Sequence, residues 1–115
     1  MIKRFETNAR LSRVIVHNGT VYVAGTSPDT ASASADDQAR EVLNKIDGYL
    51  RMANSDKSKL LSAVLYVKDL RNLDSINRAW ESWLPAGHAP TRTCVEATPA
   101  LSQFAVTIAV VAATD

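Results

Sequence analysis

Two stretches of the chain have no polar face, and they restrict the fold more than any other feature. Residues 60–67 read Leu-Leu-Ser-Ala-Val-Leu-Tyr-Val, and residues 104–112 read Phe-Ala-Val-Thr-Ile-Ala-Val-Val-Ala, interrupted only by Thr107. Successive side chains of a strand point to opposite faces of its sheet, so strands that are apolar on both faces are covered on both faces. In the first stretch, one predicted face carries Leu61, Ala63, Leu65 and Val67, and the other carries Leu60, Val64 and Tyr66.

The remaining elements follow from local patterns. Residues 13–17 and 21–24 are rich in β-branched side chains and flank Asn18-Gly19, which predicts a hairpin. Residues 2–5 predict a short edge strand before it, and residues 91–98 predict a strand near the C-terminal end. A first helix begins after Ser34, which can cap it, and ends near Asn54. A second helix begins near Leu73 and is stopped by Pro85.

These elements predict an α+β fold with the order ββαβαββ, in which two helices cover one face of a single mixed sheet. The length of 115 residues fits one domain over residues 1–115. Because the chain has no third helix for the second face, we expect another copy of the same chain to cover it.

Composition argues against several classes of function. The net charge is +1 without a basic run, so nucleic acid is not an expected partner. The 104–112 run is too short to span a membrane. A single cysteine and an N-terminus without an apolar signal-peptide core fit a cytoplasmic location. His17, His88 and Cys94 lack the spacing of a zinc site, and no nucleotide or flavin motif is present, so no metal or cofactor is expected.

One arginine requires a particular explanation. Residues 88–96 read His-Ala-Pro-Thr-Arg-Thr-Cys-Val-Glu, and strand alternation places Arg92, Cys94 and Glu96 on one face. A guanidinium is permanently charged and needs an anion where water is excluded. Two alternatives remain open: an acid of the fold, such as Glu96, or a small carboxylate ligand.

Three further residues allow both a structural and a functional interpretation. His17 is a candidate general base, but a histidine beside a hairpin turn is more often simply solvated. Gly25 at a strand end permits close approach of a ligand or another chain, or belongs to a connecting loop. Asn77 interrupts the apolar side of the second helix, so we expect it to bond a partner, most simply a backbone group.

Three segments carry a resemblance to a known family. The hairpin ending in Val-Ala-Gly25, the segment Ile-Asn-Arg-Ala-Trp at residues 76–80 and the run at residues 87–96 resemble the Rid (YjgF) family of reactive-intermediate deaminases, and most of all its YoaB-like branch. The resemblance implies a chorismate-mutase-like fold and a homotrimer with three clefts between subunits. It also implies a small carboxylate or imino-acid ligand, because better-studied members hydrolyse enamines and imines such as 2-aminoacrylate to keto acids and ammonia.

The resemblance also assigns roles. Arg92 matches the arginine that binds the substrate carboxylate, Cys94 the cysteine whose backbone carbonyl helps to hold the water, and Gly25 the glycine whose backbone faces the ligand. Asn77 matches an asparagine that we interpret as structural support. Thr107 stands fifteen residues after Arg92, where the deaminases have a water-activating glutamate.

Two departures affect the expected chemistry. Threonine at position 107 can orient a water but cannot accept a proton at neutral pH, and general base help is typically worth roughly 10²- to 10⁴-fold in rate. Leu11 replaces the family tyrosine near the first hairpin strand. Three functions therefore compete: an imine deaminase that uses Arg92 and Thr107, a metabolite-binding or regulatory trimer without turnover, and an endoribonuclease, as some relatives are labelled. The last fits the sequence least, because a basic surface and a convincing histidine pair are missing.

Overall fold

In the part of the chain that the structure describes, the strands form one mixed sheet of six strands. The computed structural model describes residues 1–31, 34–100 and 103–114. Its strands are β1 (Lys3–Thr7), β2 (Ser12–His17), β3 (Thr20–Thr26), β4 (Leu60–Val67), β5 (Thr91–Glu96) and β6 (Val106–Ala113). Its α-helices are α1 (Ala35–Met52) and α2 (Leu73–Trp83). A short 3₁₀ turn at Lys57–Lys59 precedes β4, and another at Leu70–Asn72 leads into α2.

The spatial order of the strands is β1-β2-β3-β6-β4-β5. All neighbouring pairs are antiparallel except β4 and β5, which are parallel and are connected through α2. The predicted α+β class, with a single mixed sheet and two helices on one face, is confirmed. The observed order βββαβαββ has one strand more than ββαβαββ, because the edge strand predicted at residues 2–5 is present as β1 and pairs with β2. Neither helix in the described ranges has the length and apolar character needed to cross a bilayer.

Local signals in the sequence explain the ends of these elements. Asn18 and Gly19 have φ angles of 50° and 77°, the left-handed values that a tight hairpin turn between β2 and β3 requires. The hydroxyl of Ser34 accepts a hydrogen bond from the backbone N–H of Asp37 and caps α1 as predicted. The helix ends at Met52, close to the predicted end near Asn54.

The core lies between the helices and one face of the sheet. It joins the apolar stripe of α1 and the inner side of α2 to alternate residues of the strands; its largest fully buried members include Leu43, Ile46, Leu50, Leu65, Ile76 and Ile108. The other face of the sheet is open in the single chain. Tyr22 is 48% exposed and Tyr66 is 36% exposed on that face. The expectation that another copy covers this face stays a prediction.

Two residues at the start of β4, Leu60 and Leu61, face the opposite way from their predictions. Leu61 is 50% exposed, whereas Leu60 is 6% exposed. The pairing of β4 with β6 is regular from Ser62 onward but shifts between Leu60 and Ser62. This irregularity inserts an extra residue, so Leu60 occupies the core position and Leu61 is displaced from it.

Candidate functional site

Two side chains of α2 contact the guanidinium of Arg92. Its Nη2 donates a hydrogen bond to Oδ1 of Asn77 at 2.7 Å. Its Cζ lies 5.6 Å from the centroid of the Trp80 ring, within the range of a cation–π contact. Asn77 and Trp80 are three residues apart and therefore lie on the same side of the helix. The helix thus fixes the position of the charged group on the neighbouring edge strand β5.

No carboxylate neutralises Arg92 within residues 1–31, 34–100 and 103–114. The alternative in which Glu96 supplies the anion is therefore not observed, and Glu96 is exposed. Asn77 does bond a partner, as expected, but its side chain accepts from Arg92 and not from a backbone group. The held guanidinium lines an open cleft of about 400 Å³ between α2 and the segment at residues 84–90.

The predicted row of side chains on β5 is confirmed by the strand register. Arg92, Cys94 and Glu96 pair with Ala63, Leu65 and Val67, which are buried on the helix-covered face. Cys94 is partly buried and packs against the core. It does not line the cleft beside Arg92, so its role at a ligand stays a prediction.

Thr107 belongs to a second cluster, which includes Gly25 and Ser27. Oγ1 of Thr107 lies 2.9 Å from Oγ of Ser27, so the two hydroxyls are hydrogen-bonded. A Cβ atom added at Gly25 would lie 3.2 Å from Cγ2 of Thr107, closer than most such contacts. Glycine at position 25 therefore avoids a close contact that would displace the side chain of Thr107. Sequence reasoning missed Ser27, whose only signal is its place in the small-residue loop that follows Gly25.

The Thr107 cluster opens into a cleft of about 380 Å³, in the lower part of the range for ligand pockets. The lining residues are Leu11, Arg13, Gly25, Ser27, Tyr66, Thr107 and residues 97–100. Among the described lining residues, Arg13 carries the only formal charge and no carboxylate is present. The cleft therefore offers a cation and several hydroxyls but no general base of the acidic type.

Arg92 and Thr107 lie on opposite faces of the sheet. Arg92 pairs with Ala63, and Thr107 pairs with Tyr66, three positions farther along β4. An odd number of residues along a strand reverses the face, so Arg92 projects to the helix side and Thr107 to the open side. The structure thus brings Gly25 to Thr107 and Asn77 to Arg92, but it keeps the two groups apart within one chain.

The histidines lie outside both clefts. Nε2 of His17 is 3.1 Å from Nδ2 of Asn18, and Nδ1 of His88 is 2.9 Å from the carbonyl oxygen of Ala86. Neither histidine lines the cleft of Arg92 or that of Thr107. Within the described ranges, no three histidine, cysteine or acidic residues converge as metal ligands.

Among the described carboxyl groups, the largest pKa shift is that of Asp69, at the turn that leads into α2. The side chain of Arg71 donates to the carboxylate of Asp69, with Nη2 and Oδ2 2.7 Å apart. This hydrogen bond lowers the pKa of Asp69 from 3.8 to about 2, and the backbone N–H of Arg71 acts in the same direction. The effect belongs to the surface of the turn, not to either cleft.

Comparison with known proteins decides the family. Residues 1–114 match the family model described as endoribonuclease L-PSP. The chain belongs to this family. A RutC family protein of Haemophilus ducreyi is 38% identical over 113 residues, covering 98% of this chain and 97% of the relative. The RutC family protein YoaB of Escherichia coli is 38% identical over 112 residues, covering 97% of each chain.

Solved structures of similar proteins agree with the fold. A protein from Pseudomonas aeruginosa superposes with a TM-score of 0.97 at 34% identity, with complete coverage of both chains. A member of the YjgF protein family from Neisseria meningitidis superposes with a TM-score of 0.96 at 34% identity, covering 100% of this chain and 96% of that one. The resemblance to the Rid (YjgF) family and its YoaB-like branch is confirmed.

Proposed function

We propose that this member of the endoribonuclease L-PSP family binds small α-imino carboxylates between the subunits of a homotrimer and hydrolyses them to keto acids and ammonia. The observation that carries the proposal is the state of Arg92. Its guanidinium is fixed by Asn77 and Trp80, yet it has no carboxylate partner in the described part of the chain. A positioned planar fork of donors suits the carboxylate of a ligand.

The placement of the two residue groups supports a site between subunits. Arg92 stands on β5, an edge strand, whereas Thr107 faces the open side of the sheet. A small ligand does not reach both within one chain. A neighbouring copy whose β5 edge lies against this open side brings its own Arg92 toward Thr107, and the same contact covers the exposed tyrosines. A closed cyclic assembly repeats that contact in every subunit.

The residues present suit a hydrolysis that depends on positioning. Water adds to the imine carbon of R–C(=NH)–COO⁻, the imine nitrogen takes up the proton, and the resulting carbinolamine releases ammonia to leave R–CO–COO⁻. Arg92 holds the carboxylate, and the hydroxyls of Thr107 and Ser27 hold the attacking water. Orientation of bound reactants alone supplies several kcal/mol toward such a step. Because the substrate nitrogen accepts the proton, the step proceeds without a carboxylate at position 107.

A second candidate is binding of the same carboxylates without turnover, as in a metabolite sensor. It is favoured by one observation: no acid lines the Thr107 cleft among the described residues. The family description names an endoribonuclease, but the net charge of +1 and the position of both histidines outside the clefts argue against that activity here.

The proposed site between subunits is tested by mixing two defective variants. Arg92→Ala and Thr107→Val are co-expressed with different tags, and oligomers that carry both tags are purified. In a cyclic trimer of both chains, one interface combines the intact Arg92 with the intact Thr107, so imine turnover recovers to about one third of the native value. Turnover no higher than that of the two parent variants would contradict a site built by two subunits.

A further inference from the structure

Arg13 is a charged residue of the Thr107 cleft that takes no part in holding the imine or the attacking water. It lines both this cleft and an adjoining one of about 250 Å³, and Gly25 and Ser27 line both as well. Its Nη1 donates to the carbonyl oxygen of Gly25 at 3.2 Å. Arg13 therefore stands where the two clefts meet, beside the backbone segment that positions Thr107.

The charge of Arg13 is not neutralised within the described ranges. A guanidinium offers five N–H donors, and Arg13 uses one of its nitrogens in the bond to Gly25. No acidic residue forms a salt bridge with it there. Lys45, the other cation of the adjoining cleft, contrasts with it: its Nζ lies 3.0 Å from a carboxylate oxygen of Asp29. Arg13 thus has donors and charge available for an anion.

The surroundings of Arg13 indicate the kind of anion. Leu11 and Tyr66 provide apolar walls, and the hydroxyl of Thr107 shares the cleft. A carboxylate bound to Arg13 would leave a short carbon chain against these walls. With threonine at position 107, no acid in the described lining of the Thr107 cleft competes for the guanidinium, and Asp29, the acid of the adjoining cleft, is paired with Lys45.

We propose that Arg13 is a specificity-determining residue that binds a second carboxylate, so that the preferred substrates are dicarboxylic imino acids. This inference rests on the proposed function, in which Arg92 holds the carboxylate next to the imine. The second carboxylate occupies the fork of Arg13. A monocarboxylic substrate of the same length leaves that charge unpaired in a partly desolvated cleft.

The test uses two substrates that differ in one carboxylate. Oxidation of glutamate and of norvaline by amino acid oxidases supplies 2-iminoglutarate and 2-iminopentanoate, which have the same number of carbon atoms. We expect the native protein to favour 2-iminoglutarate in kcat/KM. Arg13→Ala lowers kcat/KM for 2-iminoglutarate more than for 2-iminopentanoate. The ratio of the two values should fall by roughly 10- to 100-fold, which corresponds to the loss of a hydrogen bond to a charged group. Arg51→Ala, which removes an exposed arginine at the end of α1, is the matched control and leaves the preference unchanged.

The outcomes separate this inference from the proposed function. Equal turnover of both imines by the native protein, or an equal loss for both in Arg13→Ala, overturns the role of Arg13 but leaves the deaminase intact. If neither imine is turned over, titration with 2-oxoglutarate and 2-oxopentanoate decides. A preference for 2-oxoglutarate that Arg13→Ala removes supports Arg13 in a binding protein. Binding of neither keto acid overturns both proposals.

Discussion

Oδ1 of Asn77 accepts a hydrogen bond from Nη2 of Arg92 at 2.7 Å, so a neutral amide orients the guanidinium without cancelling its charge. An aspartate at position 77 would hold the group equally well but neutralise it. We expect Asn77→Asp to weaken pyruvate binding by roughly 10-fold or more, because the ligand must then compete with an internal carboxylate. Isothermal titration with pyruvate, the product expected from 2-iminopropanoate, measures the change.

Asn77→Ala is the matched variant, since it removes the bond and keeps the charge. It should weaken pyruvate binding less than Asn77→Asp does. Thermal unfolding of both variants checks that the fold is retained. Native affinity in Asn77→Asp would show that the free charge of Arg92 is not what recognises the ligand.

The hydroxyl pair of Thr107 and Ser27 should act on turnover more than on binding. Thr107→Val keeps the shape of the side chain and removes the group that holds water. We expect kcat for imine hydrolysis to fall about 5- to 30-fold with little change in KM. This loss corresponds to the free energy of a typical hydrogen bond or somewhat more. Thr7→Val removes a similar hydroxyl pair with Ser12 outside both clefts and serves as the control. A change in KM with kcat unaltered would contradict a role in holding the water.

The open face of the sheet should be the surface through which copies associate. Tyr22 is 48% exposed there and lies beside Ile15 and Val111 in the strand register. A lysine at position 22 would place a charge in the proposed interface, so Tyr22→Lys should give monomers in sedimentation velocity experiments while the native chain forms trimers. Leu70→Lys alters a side chain of similar exposure, 47%, in a turn outside that face and should leave the trimer intact. A native chain that stays monomeric at low micromolar concentration would refute the trimer.

The acidity of Asp69 gives a prediction about pH. Hydrogen bonds from Arg71 lower its pKa from 3.8 to about 2 in the folded protein. The bonded carboxylate therefore stabilises the fold above pH 3.8, and this contribution is lost as the pH falls through about 2. Arg71→Ala should raise the pKa toward 3.8, as followed by NMR titration of the Asp69 carboxyl carbon. A titration unchanged by the substitution would show that Arg71 is not the cause.

The fold was predictable where the pattern is local, and the site was predictable only in part. Periodicity and turn residues predict the hairpin at Asn18-Gly19 and the cap at Ser34, since each depends on a few neighbouring residues. The partner of Asn77 was not predictable, because it depends on how α2 packs beside β5. Leu61 was misplaced because a strand irregularity shifts the alternation. Alternation within one strand also leaves open whether Arg92 and Thr107 share a face, because their pairing register with β4 decides it.

An arginine-held carboxylate and a positioned water should be sufficient for imine hydrolysis by this protein. The most direct measurement generates 2-iminopropanoate with an amino acid oxidase and follows its loss with the native protein, Arg92→Ala and Thr107→Glu. We predict turnover by the native protein and its loss in Arg92→Ala. Thr107→Glu should be faster than the native protein, because it adds a general base. A native protein without turnover, together with activity gained in Thr107→Glu, would contradict this mechanism and identify a cleft that binds its ligand without converting it.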